Sequence, residues 1–369
     1  MEEGRKLAVE LASALVLPRS MNCVRRLLPM VSGTLLGLAI ARAEEAGDWR
    51  LELFEERQLS SETPALENSR KGLDVSAESL DQLIQGLAAD KFAEREQAQK
   101  ELLLTGTFQH LQREITEGDD PEVRKRLRKI LLKLEAGGRW SKEELLARAV
   151  ASLLHERDNP GVADPTGELF VELFGKAKPS LADGYGKLRF VENARRNGFA
   201  ADGVLHMEGK LGEIGDQRLL FEAMNLIGKP EFPDTFRVDA KLGGGAAGAG
   251  TYHVGISIGN VCVLFHPTLK SGAFRFQRVD NQLQLTENAN LGFDPPAEKM
   301  LSMGIDVIRL ANGAVKLDVL VANGTNSFRA SKTLRADVIG KLDSVGLNRS
   351  GAAGGDGIFD DLVLDLGKQ

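Results

Sequence analysis

Two histidines and a cysteine share the alternating stretch Tyr252–His266, and their spacing is where chemistry is first conceivable. Gly259-Asn260 stands between two alternating runs, and both residues tolerate the positive φ of a two-residue hairpin turn. With that turn, 258 pairs with 261 and His253 falls opposite His266. Parity puts Tyr252, Val254, Ile256, Ile258, Val261, Val263 and Phe265 on one apolar face. His253, Gly255, Ser257, Cys262, Leu264 and His266 form the other. A next strand pairing alongside brings Arg275 and Gln277 to this mixed face and sends Phe274 and Phe276 to the core. Opposed side chains have β carbons about 4.5–5.5 Å apart, close enough for two imidazoles to share an ion, but no third ligand is evident. No metal and no catalytic residue is therefore assigned. His253, Ser257, His266, Arg275 and Gln277 form the candidate ligand-binding set.

Other reactive constellations fail on spacing. Gly243-Gly244-Gly245-Ala246-Ala247-Gly248-Ala249-Gly250 follows a strand, yet no helix pattern and no Lys-Ser/Thr follow it, so it reads as a flexible loop. No Gly-x-Ser-x-Gly elbow is present, and Cys262 lies within a strand rather than at a helix start that would favour its thiolate. The run Arg124-Lys125-Arg126, with Arg128-Lys129, interleaves with Val123, Leu127, Ile130 and Leu131 at helical spacing, which is a solvated helix face.

The elements that must hold these residues change character along the chain. Residues 21–43 have the grammar of an export signal: Arg25-Arg26, an apolar run from Leu27, and Ala41-Arg42-Ala43 before Glu44. Residues 1–20 then read as an upstream extension, and export places the mature chain in the periplasm or outside the cell, with no stable membrane span once the signal is cleaved. Loss of residues 1–43 takes six of 47 basic and three of 53 acidic residues, leaving a net charge of −9 that argues against nucleic acid as a partner. Cys23 leaves with the signal, so Cys262 has no intrachain disulfide partner.

Residues 44–75 read as a linker. From 76 to 157 apolar residues recur at three and four, and capping residues open each segment, as in Asp120-Pro121-Glu122-Val123 and in Ser141 with Glu144. Helices are expected over 76–88, 91–105, 107–117, 121–136 and 141–155. From 158 to 369 the period is two, with about a dozen short runs separated by Gly, Asn, Asp and Pro, which predicts an antiparallel β-sandwich.

Two resemblances fit this order. The Asp120-Pro121-Glu122-Val123-Arg124 helix start resembles the second half of a HEAT-type repeat. Phe236-Arg-Val-Asp-Ala-Lys241, Gly255-Ile-Ser-Ile-Gly259, Val345-Gly-Leu-Asn-Arg-Ser-Gly351 and Gly357-Ile-Phe-Asp-Asp-Leu-Val363 resemble the concanavalin A-like, laminin-G-like jelly rolls of secreted bacterial proteins. The resemblance implies an α+β multidomain chain, a HEAT-like helical module followed by a jelly roll, whose concave sheet face and rim loops are the usual ligand surface. It also implies two chemistries to weigh. Calcium is the one ion the rim loop Gly354-Gly355-Asp356-Gly357 with Asp360 admits, although its spacing fits a turn better. The acid signature of the glucanases sharing this fold is absent, and Asp360-Asp361, being consecutive, should point to opposite faces.

The function expected is a secreted, non-catalytic interaction protein that binds an extracellular protein or glycan through the jelly roll. The alternative is a lectin or carbohydrate-active hydrolase of the same fold. The β region has no Trp and only Tyr185 and Tyr252, which counts against a strong sugar-stacking platform.

Overall fold

The computed structural model describes residues 48–367 apart from 60, 63–65, 67–76, 106–110, 112–113, 117, 137–139, 141, 162–167, 192–196, 210–214, 246–251, 270–271, 280–282, 287, 296–299 and 352–354. The export signal at 21–43, the extension before it and most of the expected helix at 107–117 lie outside these residues.

Among the described residues five helices come first: α1 (Trp49–Glu56), α2 (Ala77–Gly86), α3 (Phe92–Thr105), α4 (Pro121–Ala136) and α5 (Lys142–Asp158). Helix α1 lies in the stretch read as a linker; Asp48 caps it by accepting from the Arg50 backbone N–H, and Leu53 and Phe54 are buried. Asp120 caps α4 through the N–H groups of Glu122 and Val123 at 2.8 and 3.2 Å. Helices α2, α3 and α4 share a small core built on Leu80, Ile84, Leu87, Leu102, Leu127 and Ile130. Among the described residues no helix is long and apolar enough to cross a membrane.

Fifteen strands and two short helices follow: β1 (Leu169–Glu172), β2 (Arg189–Phe190), β3 (Gly198–Ala201), β4 (Val204–Met207), β5 (Gly215–Glu222), α6 (Ala223–Ile227), β6 (Thr235–Gly244), β7 (Tyr252–Ile258), β8 (Val261–Phe265), β9 (Ala273–Arg278), β10 (Ala289–Asn290), β11 (Met300–Arg309), β12 (Val315–Ala322), β13 (Ser327–Leu334), α7 (Ala336–Ile339), β14 (Ser344–Gly351) and β15 (Gly357–Asp365). They form an antiparallel sandwich of two sheets. One has the order β13-β12-β11-β6-β15-β4-β3 with β1 also on β15, and the other β10-β9-β8-β7-β14-β5-β2. Alternate residues of both sheets, among them Val238, Leu242, Ile305 and Val319 facing Val254, Ile256, Val263 and Leu347, make one core.

The outer face of the eight-stranded sheet carries α1 and α5. Leu53 and Phe54 of α1 and Leu145, Ala149, Val150 and Leu154 of α5 pack with Val171 of β1, Leu173 and Val363 of β15. That contact depends on an irregularity. Phe359 and Leu362 both face the inner core, so the alternation skips a residue, and the register with β6 shifts between Asp360 and Val363. Asp361 takes φ +48° at this bulge. The expectation that Asp360 and Asp361 point to opposite faces therefore fails. Asp361 pairs with Lys241, and the Asp360 carboxyl is held above its usual range first by burial and then by the Asp361 charge.

Candidate functional site

The outer face of the seven-stranded sheet is built from five adjacent strands. β7 and β8 form the expected hairpin, Ile258 opposite Val261 and Ser257 opposite Cys262, with Gly259 at φ +53° in the turn. β9 pairs on β8, placing Gln277 beside Cys262 and Arg275 beside Leu264. On the other side of β7 lies β14, and beyond it β5. Reading across β5, β14, β7, β8 and β9, the middle row is Arg218, Asn348, Gly255, Leu264, Arg275. One neighbouring row begins Asp216, Ser350, His253, and the other runs Leu220, Gly346, Ser257, Cys262, Gln277. Sequence reasoning reached the β7–β9 half. Asp216, Arg218, Asn348 and Ser350 escaped it, although the alternation Gly346, Asn348, Ser350 against Val345 and Leu347 already marked a polar strand face.

His253 and His266 are brought together, with ring centroids 5.2 Å apart and the rings nearly perpendicular. Both are buried. Burial, then the Arg275 charge, pushes His253 down to about 3 and His266 down to about 4, so both imidazoles are neutral at ordinary pH. His266 Nδ1 accepts from the Leu269 N–H at 3.1 Å, which ties the ring to the turn after β8. His253 Nδ1 lies 3.3 Å from an Nη of Arg275, so the arginine reaches from β9 across β8 to β7. Ser257 Oγ and Cys262 Sγ are 3.0 Å apart, and burial pushes the thiol up to about 12, which leaves it no nucleophilic thiolate.

The centre of the face is hollowed by glycine. Gly255 stands directly opposite Asn348, and a Cβ there would sit 1.9 Å from the Val263 carbonyl oxygen. At Gly346 it would meet the Leu219 carbonyl oxygen at 2.3 Å. Asn348, fully buried, has no hydrogen-bond partner among the described residues for either its amide nitrogen or its oxygen. A buried amide costs about 1–3 kcal/mol for each group left unmade, which makes this side chain an exception in the sandwich. Asp216, half-buried, has its carboxyl raised by burial, is hydrogen-bonded to Ser350, and keeps Oδ1 unpartnered.

The remaining candidates are elsewhere. His206 stacks on Phe199 at 4.3 Å in the other sheet. In the loop read for calcium, Asp356 Oδ1 accepts from the Gly209 N–H, and the Arg349 guanidinium donates to the carbonyls of Gly351 and Gly355 at 2.8–3.2 Å. An internal cation thus uses oxygens that a bound ion would need. Among the described residues no three His, Cys, Asp or Glu side chains converge as metal ligands.

No family model matches this chain, and no curated protein matches it. Solved structures similar to it include the CBM2 module of the Lactobacillus casei BL23 phage J-1 evolved Dit, at 7% identity over 56% of this chain and 99% of that one, TM-score 0.35. Alginate lyase Aly36B follows at 10% identity, over 54% and 97%, TM-score 0.37. Basic winged bean lectin with Tn-antigen is similar at 10% identity, over 53% and 98%, TM-score 0.34. At such values the meaning of the face rests on its own geometry.

Proposed function

We propose that this protein is an exported, non-catalytic binding protein whose seven-stranded sheet holds a hydroxylated ligand, a glycan, on the face around Asn348. One observation carries the reading: a buried amide, unpartnered at both atoms among the described residues, next to Arg218 in a row that ends in two arginines. An amide that donates and accepts matches a sugar hydroxyl, which does the same. Asp216, Ser350, His253 and Gln277 surround it with further donors and acceptors.

The hydrolase alternative needs two carboxylates roughly 5–9.5 Å apart across one bond. Among the described residues of this face, Asp216 and Glu222 lie six positions apart on one strand, about 20 Å at the usual rise. That separation supports binding without cleavage. The test is a glycan array followed by calorimetry of wild type and Asn348→Ala. Binding that weakens about tenfold or more in the variant is expected; no glycan binding, or binding indifferent to Asn348, overturns the reading. Export is tested by N-terminal sequencing of the secreted product, which should begin at Glu44, and a product retaining residues 27–40 contradicts it.

A further inference from the structure

We infer that the ligand is an acidic saccharide whose carboxylate or sulfate group is seated between Arg218 and Arg275; this rests on the binding role proposed for the face. Charge balance points there. Two guanidiniums flank the centre of the face, on β5 and β9, and the carboxylate nearest them in the strand register is Asp216. Among the described residues neither arginine is in an ion pair, and Asp216 directs its hydrogen bond to Ser350 while acting on both arginines through space. Two arginines elsewhere on the sandwich are matched by carboxylates: Arg237 grips Asp239 and Asp306, and Arg309 grips Glu231 and Asp234. Two cations face one nearby carboxylate, Asp216, beside the orphaned amide.

Arg275 also has the geometry of a waiting fork. One Nη is engaged by the neutral His253 ring, which holds the side chain across the sheet, and its Nε–H is buried without an acceptor. Adjacent N–H groups of a guanidinium fit two oxygens of a carboxylate or sulfate, and the pairing is stronger in a recess than in water. With His253 and His266 uncharged, the arginines supply the positive charge, and the imidazoles are left for hydroxyls. An acidic group therefore settles the charge. The face has no aromatic ring besides the imidazoles among its described residues, so charge and hydrogen bonds take the place of stacking.

The experiment uses the full mature chain and three probes: polygalacturonate for carboxylate, a sulfated galactan for sulfate, and neutral galactan. Wild type should bind at least one acidic probe at least tenfold more tightly than the neutral one, with affinity falling as salt rises from about 50 to about 500 mM. Arg275→Gln and Arg218→Gln should each lose about tenfold on the acidic probe and flatten the salt dependence, while Arg275→Lys retains part of it. The preferred acidic probe distinguishes carboxylate from sulfate. Binding of the neutral probe alone, or acidic binding indifferent to both arginines and to salt, overturns this inference and leaves the glycan role standing. Binding of no saccharide overturns both. Thermal unfolding of each variant checks folding, and if Arg275→Gln is unfolded, Arg218→Gln and the wild-type salt series decide the matter.

Discussion

Replacing Glu172 by glutamine should raise stability at alkaline pH and abolish a pH dependence that the wild type shows. Glu172 ends β1 against β15, 7% exposed, with its carboxylate pressed on Gly186, where a Cβ would sit 2.3 Å from Oε1. Burial is the largest influence and the Glu52 charge adds to it, while a hydrogen bond from the Lys187 backbone N–H opposes them; the net result is a carboxyl pushed up from 4.5 to about 7. The native state therefore keeps a proton that the unfolded chain releases, so stability is fullest below pH 4.5, falls as pH rises, and levels off above about 7. At about 1.36 kcal/mol per pH unit over that gap, ionised Glu172 costs about 3 kcal/mol. A glutamine amide keeps the acceptor for Lys187 and has no proton to lose, so Glu172→Gln should be about 1–3 kcal/mol more stable than wild type at pH 8 and near equal at pH 4.5. Urea unfolding of both proteins from about pH 4.5 to 8.5 gives the difference profile, in which other groups, Asp360 among them, cancel. A difference that does not change with pH, or a variant less stable at pH 8, refutes the argument.

The two neutral imidazoles, down at about 3 and 4, must be charged on unfolding, so stability is lost as pH falls below 6.5; by pH 4.5 each costs about 2–3 kcal/mol, and the double variant His253→Gln, His266→Gln should flatten this acid arm in urea titrations. Gly255→Ala forces a Cβ to 1.9 Å from the Val263 carbonyl, and urea unfolding should show a loss of about 3 kcal/mol or more, since the obstacle is backbone rather than a movable side chain. A fragment of residues 165–369 uncovers Val171, Leu173 and Val363, so circular dichroism should show β structure that melts well below the full chain, and an equal melting temperature would show that α1 and α5 contribute nothing.

How much of this was legible in advance depended on whether the controlling interactions are local. The β7–β8 hairpin follows from two turn residues that accept positive φ and from a period-two pattern that allows one buried face, so the Ile258–Val261 pairing and the proximity of His253 to His266 were readable. Phe274 and Phe276 alternating with Arg275 and Gln277 set which side of β9 faces the core for the same reason. Turn and alternation carry no information about which distant strand lies on the other edge of β7. That place went to β14, far later in the chain, and with it came Asn348 and Ser350, while β5 added Asp216 and Arg218. The burial of the histidines was hidden likewise, because a parity argument assigns a face without saying how deeply it is recessed. The bulge at Asp360–Asp361 had no local signal either; it lets Phe359 and Leu362 fill the inner core while Val363 meets the helices, a compromise between two packing surfaces that exists only once both are assembled. Amino-acid order thus determined the faces of individual strands, through steric preferences a few residues long. Tertiary packing decided which faces adjoin, and hence which polar groups come together on one sheet face.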